Sequence, residues 1–84
     1  MFDSIPEAVR AHRAAAVEHH RARDRGDHAG MDAAVARIRQ VTEYLRGNRR
    51  PDLIQPLTME WVTEGRDEAA HAHHRCEVDR LLQG

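Results

Sequence analysis

The stretch MDAAVARIRQVTEYL, residues 31–45, is the part of the chain that most clearly determines its fold. Its apolar residues recur at steps of three and four: Met31, Ala34, Val35, Ile38, Val41 and Leu45. Successive residues turn by about 100°, so this set lies within about 120° of the circumference, as expected for an α-helix with one buried face. That face requires a packing partner, which the flanking segments can supply.

The segment before this stretch carries the signals of a helix start. Ser4 can cap a helix, and Glu7 stands three residues later, as in a capping box. Pro6 falls in the first turn, where its missing N–H has no partner to lose. These signals predict a helix over residues 5–25.

The two helices are separated by a very short connection. Gly26 suits the left-handed conformation that ends a helix, and Asp27 can cap the helix that follows. The second helix is expected over residues 28–46, ended by Gly47 and Asn48. Because a connection this short leaves little room for another geometry, we expect an antiparallel helical hairpin.

The C-terminal part of the chain is more ambiguous. Residues 47–57 contain prolines and predict an extended linker. Residues 58–82 are predicted to form a third helix, with a break near Gly65. The alternation of Leu57, Met59 and Trp61 with polar residues also fits a short strand, which only a second copy could pair.

The third helix carries two separate stripes. The first consists of small residues at heptad-like spacing: Val62, Gly65, Ala69, Ala72 and Cys76. The second lies on another side: His71, His74, Val78, Leu81 and Leu82. Two such faces in one short chain offer more apolar surface than one hairpin can cover, which indicates a partner.

Length and composition also favour self-association. Only 15 of the 84 residues are Ile, Leu, Val or Phe, so a single domain of this size has a thin core. Cys76 is the only cysteine, so no disulfide within the chain can support it. Small domains of this kind often depend on oligomerisation. We therefore expect one all-α domain that is completed by a homo-oligomer.

The sequence gives no membrane or export signal. It contains no run of 18 apolar residues, and its N-terminus has neither a basic segment nor an apolar core. We therefore expect a cytoplasmic protein.

Catalytic motifs are equally scarce. Ser4 is the only serine and is assigned to a helix cap, and no phosphate-binding or dinucleotide-binding glycine pattern is present. We expect no enzymatic activity and no cofactor.

Seven histidines in 84 residues make the chain histidine-rich. His71 and His74 share one helix face and are candidate metal ligands, whereas Cys76 points about 160° away from His74. His12 and His19 lie on the midline of the apolar stripe of the first helix. If they are buried there, their protonation would disfavour packing between about pH 7 and pH 5.

All 13 basic residues are arginines, and six of them form two clusters. These six are candidate nucleic-acid contacts in a dimer: Arg21, Arg23, Arg25, Arg46, Arg49 and Arg50. A net charge of −1 and the absence of stacking aromatic residues beside the clusters weigh against this alternative.

The function that the sequence favours is protein–protein interaction, as an accessory, regulatory or assembly factor that binds itself, another protein, or both. Apolar residues of the linker and the third helix are the candidate contacts: Leu53, Ile54, Leu57, Met59, Trp61, Val78, Leu81 and Leu82. The competing prediction for the linker residues, Met59 and Trp61 is that they fold back as a lid on the hairpin core. Nucleic-acid binding and histidine-based metal binding are the alternative functions.

Overall fold

A computed structural model describes residues 2–84, and all regular structure within them is helical. The elements are α1 (Ile5–Arg25), α2 (His28–Gly47), a 3-10 turn (Pro51–Leu53), α3 (Ile54–Thr63) and α4 (Glu68–Gln83). The all-α prediction is confirmed. The strand alternative for the segment around Trp61 is wrong, because those residues form α3.

Side chains cap α1 and α2 at their N-termini. Ser4 Oγ accepts a hydrogen bond from the Glu7 N–H at 3.2 Å, and the Glu7 carboxylate accepts one from the Asp3 N–H at 2.9 Å. Asp27 accepts from the Gly30 N–H at 2.9 Å, which fixes the start of α2. These bonds satisfy amide groups that have no partner within the helices.

The connection between α1 and α2 depends on one left-handed residue. Gly26 has φ 70°, and the Asp27 N–H donates to the Ala22 carbonyl oxygen at 2.8 Å, as in a Schellman motif. This turn lets α2 begin two residues after α1 has ended.

At the end of α2, the left-handed conformation falls on a residue other than glycine. The helix continues through Gly47, and Arg49 takes φ 61°. The Arg50 N–H then donates to the Leu45 carbonyl oxygen at 2.8 Å. A residue with a side chain therefore holds a conformation that glycine adopts at lower cost.

The predicted extended linker over residues 47–57 is wrong. Pro51 begins the 3-10 turn, and α3 starts at Ile54, four residues before the predicted start. Pro56 lies in the first turn of α3, where a backbone N–H would have no helical partner. Thr58 does not cap the helix, since its hydroxyl donates to the Ile54 carbonyl oxygen at 2.8 Å.

The helix break near Gly65 is present and changes the direction of the chain. Gly65 has φ 74°, and Asp67 caps α4 by accepting from the Ala70 N–H at 3.1 Å. Because α4 is a separate helix, the predicted small-residue stripe does not pack within the chain. Its members are all exposed: Val62, Gly65, Ala69, Ala72 and Cys76.

The core combines residues from α1, α2, the 3-10 turn, α3 and α4. Its fully buried members are Ala8, Val9, Val41, Leu45, Leu53, Leu57 and Val78. The second stripe of α4 contributes to this core through Val78. The Cα atoms span 38 × 31 × 15 Å, so the chain forms a flat slab with one thin dimension.

Candidate functional site

The structure places most of the predicted partner-binding residues in or against the core. Leu53, Leu57 and Val78 have no exposed surface and pack within the core of the chain itself. Another three residues pack half-buried against the same core: Ile54, Leu81 and Leu82. The physical reason is that α3 and α4 fold back and complete a core that is too thin without them.

Trp61 is half-buried and holds α3 against α1. Its ring lies edge-on to the rings of His12 and His19, with centroid distances of 6.4 Å and 5.0 Å. The His20 Nε2–H donates to the Trp61 carbonyl oxygen at 2.8 Å. Three histidines of α1 therefore lie against one residue of α3. Met59, the neighbouring candidate, is also half-buried.

A buried ion pair reinforces the same contact. The Glu60 carboxylate is buried and accepts from Arg13 Nε at 2.9 Å and from Arg13 Nη2 at 3.1 Å. Arg13 Nη2 also donates to Asp79 at 3.0 Å, which joins α1 to α4. Although burial opposes its charge, the hydrogen bonds to these carboxylates raise the pKa of Arg13. A bidentate pair of this kind fixes orientation as well as distance.

Burial at this contact changes the chemistry of two histidines. Burial, with a smaller contribution from the neighbouring Arg13 charge, lowers the pKa of His12 from 6.5 to about 4. Burial, followed by the charges of His20 and Arg23, also lowers the pKa of His19. Both rings are therefore held in the neutral form at neutral pH.

A groove of about 500 Å³ lies between α1 and α2, and none of its lining residues comes from α3 or α4. Most of its lining consists of very small residues: Ala11, Ala14, Ala15, Ala22, Gly30, Ala33 and Ala34. Gly30 belongs to this set for a steric reason, since a Cβ there would lie 3.1 Å from the Ala22 Cβ. The lining is mainly methyl groups and backbone, which allows another helix to approach closely.

Charged residues of both signs complete the lining of the groove. Glu18 and Arg25 come from α1, Asp27 from the connection, and Arg37 from α2. Glu18 and Arg25 are largely exposed, with more than half of each side chain accessible. The groove thus combines an apolar floor with opposite charges that solvent can reach.

Sequence reasoning did not identify this groove. The signal was present as small residues at steps of three, four and seven on both helices, beside the large aliphatic stripe. The periodicity analysis places Ala34 in that stripe and leaves the exposed alanines beside it unassigned.

Four of the six predicted nucleic-acid contacts have acidic neighbours. Arg21 lies 3.4 Å from Glu18, and Arg23 lies 3.6 Å from Asp24. The other two pairs are Arg25 with Asp27 and Arg50 with Asp52. Arg50 also donates to the Leu81 carbonyl oxygen at 2.9 Å. These pairings reduce the positive charge available to a phosphate backbone.

The two predicted metal ligands have different environments. The His71 Nδ1–H donates to the Glu60 carbonyl oxygen at 3.0 Å, so that ring nitrogen is already engaged. His74 instead lies near Glu77, with 3.6 Å between His74 Nδ1 and Glu77 Oε1. The structure thus does not present the two rings as a pair around a common point.

Comparison with known proteins gives no match for this chain. No protein-family model, curated protein or solved structure matches it. Among residues 2–84, the helices are all too short or too polar to cross a membrane.

Proposed function

We propose that this chain is a small, non-enzymatic protein–protein interaction module that self-associates through the groove between α1 and α2. The occupant of the groove is the same face of a second copy, and the resulting dimer acts as an accessory, regulatory or assembly factor. The alanine-lined groove is the observation that carries this proposal.

The first support is the arrangement of α1 and α2. Ala22 near the end of α1 approaches Gly30 near the start of α2, while Val9 and Leu45 share the core at the other end. These contacts support the proposed antiparallel helical hairpin. Two such hairpins that pack face to face make a four-helix bundle, a common way to bury an apolar helix face.

The second support is the size of the side chains in the groove. Alanine and glycine allow helix backbones to approach closely, and a second helix pair would remove their methyl groups from water. Burial of apolar surface contributes about 25 cal/mol per Å².

The third support is the charge pattern. A two-fold interface places each residue opposite residues of the same patch, so a self-complementary patch needs both signs of charge. Glu18 and Asp27 supply negative charge, and Arg25 and Arg37 supply positive charge. Opposite charges on one face favour a second copy over a partner of a single charge sign.

The test compares two alanines of α2 that are both exposed. Ala33 lines the groove, whereas Ala36 is not among its lining residues. By sedimentation equilibrium, wild type and Ala36→Glu are expected to have twice the chain mass of 9.6 kDa. Ala33→Glu is expected to weaken association at least about tenfold, because each interface would bury two unpaired carboxylates.

A charge exchange provides a second variant that does not depend on bulk. Glu18→Arg and Arg37→Glu are each expected to weaken the dimer, and the double variant is expected to recover part of the loss. Circular dichroism should show unchanged helix content throughout. A monomeric wild-type chain, or an Ala33→Glu chain that dimerises like Ala36→Glu, would contradict the proposal.

A further inference from the structure

Three potential metal ligands lie together on α4, outside the groove. His73 and His74 are consecutive, and Glu77 follows His73 by four residues and His74 by three. At about 100° per residue, Glu77 lies at an angle between the two histidines, one turn further along the helix. Because helical side chains tilt toward the N-terminus, its carboxylate extends back over the turn that carries both imidazoles.

The distances agree with this placement. One ligand atom from each of the three residues lies within 4.8 Å of the others, and His74 Nδ1 lies 3.6 Å from Glu77 Oε1. Zinc binds nitrogen and oxygen at about 2.0–2.1 Å, so two tetrahedral ligands lie about 3.4 Å apart. The His74–Glu77 pair is already close to that separation. His73 is exposed, so a change of side-chain rotamer that moves its ring nitrogen by roughly an ångström would bring that nitrogen to the same separation.

A second observation points to a ligand at the same place. Three buried imidazole nitrogens have no hydrogen-bond partner among residues 2–84, namely Nδ1 of His19, His20 and His74. Of these three residues, only His74 belongs to the cluster. A buried polar atom without a partner is unfavourable, because it has lost its hydration and gained no hydrogen bond in return. A cation held between His74 Nδ1 and the Glu77 carboxylate would satisfy both groups at once.

We propose that His73, His74 and Glu77 bind a zinc ion as a three-ligand site on α4. Two imidazoles and one carboxylate are a known zinc donor set, with water in the fourth position. Cys76 is not a member of this cluster, and the neighbouring His71 already donates to the Glu60 carbonyl oxygen. The site is separate from the groove and does not depend on the proposed self-association.

Zinc at this site would also stabilise the end of the chain. It would link residues three and four positions apart on one helix, which holds that turn in the helical conformation. Because the ligand set is organised only in the folded chain, zinc is expected to raise the unfolding temperature, and the rise should increase with zinc concentration.

The experiment uses the full chain after removal of metals with a chelator. Isothermal titration with zinc is expected to give one ion per chain, and cobalt is expected to give the visible absorption of a tetrahedral site. His73→Ala and Glu77→Gln are each expected to weaken zinc binding at least about tenfold, since even an outer-shell partner contributes that much. The zinc-induced rise in unfolding temperature should disappear with them.

Three control variants separate this site from other sources of zinc binding. His28→Ala removes an exposed histidine of α2, Cys76→Ser removes the thiol, and Ala33→Glu alters only the groove. All three are expected to bind zinc like wild type. Absence of saturable binding by wild type, binding that survives both His73→Ala and Glu77→Gln, or binding lost in Cys76→Ser would overturn the proposal.

Discussion

The two sides of α1 differ in the side chains that they present and in whether the chain covers them. Toward α3, the helix presents imidazole rings and an arginine that contact Trp61 and the buried Glu60 carboxylate. Toward the groove, it presents methyl groups and exposed charges. One side is covered by specific, oriented contacts within the chain, while the other is left open.

This difference shows where a chain with few large aliphatic residues places them in the fold. The large side chains and the ion pair are used where α3 and α4 must be fixed in one orientation. The floor of the groove has no large apolar side chains, and its charged side chains remain exposed. We therefore propose that a second copy covers this side of α1.

The largest expected effect comes from breaking the covered side at its ion pair. Arg13→Ala leaves the Glu60 carboxylate buried without its partner, and the free energy of unfolding is expected to fall by about 3 kcal/mol or more. Urea denaturation measures it. Arg10→Ala, which removes an exposed arginine of the same helix, is the matched control and should change little.

A double variant distinguishes the ion pair from simple loss of packing. Arg13→Met with Glu60→Leu replaces the pair by apolar side chains of similar size, which is expected to restore most of the stability. Equal effects of Arg13→Ala and Arg10→Ala would show that the pair does not hold α3 in place.

Acid is the next largest perturbation of the covered side. The pKa of His12 is about 4 in the folded chain against 6.5 when exposed, so folding favours the neutral ring. Its contribution is complete above pH 6.5 and is lost as the pH falls through 4. By about pH 4.5 the free energy of unfolding should decrease by about 2.5 kcal/mol from this group.

The lowered pKa of His19 adds to the loss in the same direction. In the variant His12→Leu, the free energy of unfolding is expected to lose most of its dependence on pH between neutral pH and about pH 4.5. Fluorescence of Trp61, the only tryptophan, reports the transition at the contact itself. An identical slope in His12→Leu and wild type would assign the pH dependence to other groups.

The smallest expected effects come from the turns that set the helix directions. Gly26→Ala places a side chain at φ 70° and should lower the free energy of unfolding by about 1 kcal/mol. Gly47→Ala, at the last residue of α2, should raise it by up to about 1 kcal/mol. Arg49→Gly should also stabilise, by up to about 1 kcal/mol, because it relieves the conformation at φ 61°. Thermal denaturation measures all three, and a matching sign for the two alanine variants would contradict this account of the α1–α2 turn.

The start of α1 and the stop and start between α1 and α2 could be predicted because local chemistry determines them. Ser4, Gly26 and Asp27 each act on backbone groups within a few residues, and their hydrogen bonds occur as predicted. The early start of α3 was missed because Pro56 fits equally well in an extended segment and in the first turn of a helix. Only the fold of the whole chain decides between them.

The functional surfaces were less predictable because they depend on how the helices pack. The partner-binding prediction relied on large apolar residues, and the core absorbed Leu53, Leu57 and Val78. Exposed alanines give a weak sequence signal, since alanine occurs in helices for its propensity alone. The metal prediction paired His74 with His71, whose hydrogen bond to α3 could not be foreseen from the sequence.

The central claim is that the open side of α1 contacts a second copy while the covered side does not. The most direct measurement is a dilution series of backbone and indole NMR spectra on the full chain. Dilution is expected to shift the amide signals of groove residues such as Ala14 and Ala33, and to leave the Trp61 indole signal unchanged. Spectra that do not depend on concentration, or shifts confined to Val62 and the exposed face of α4, would contradict it.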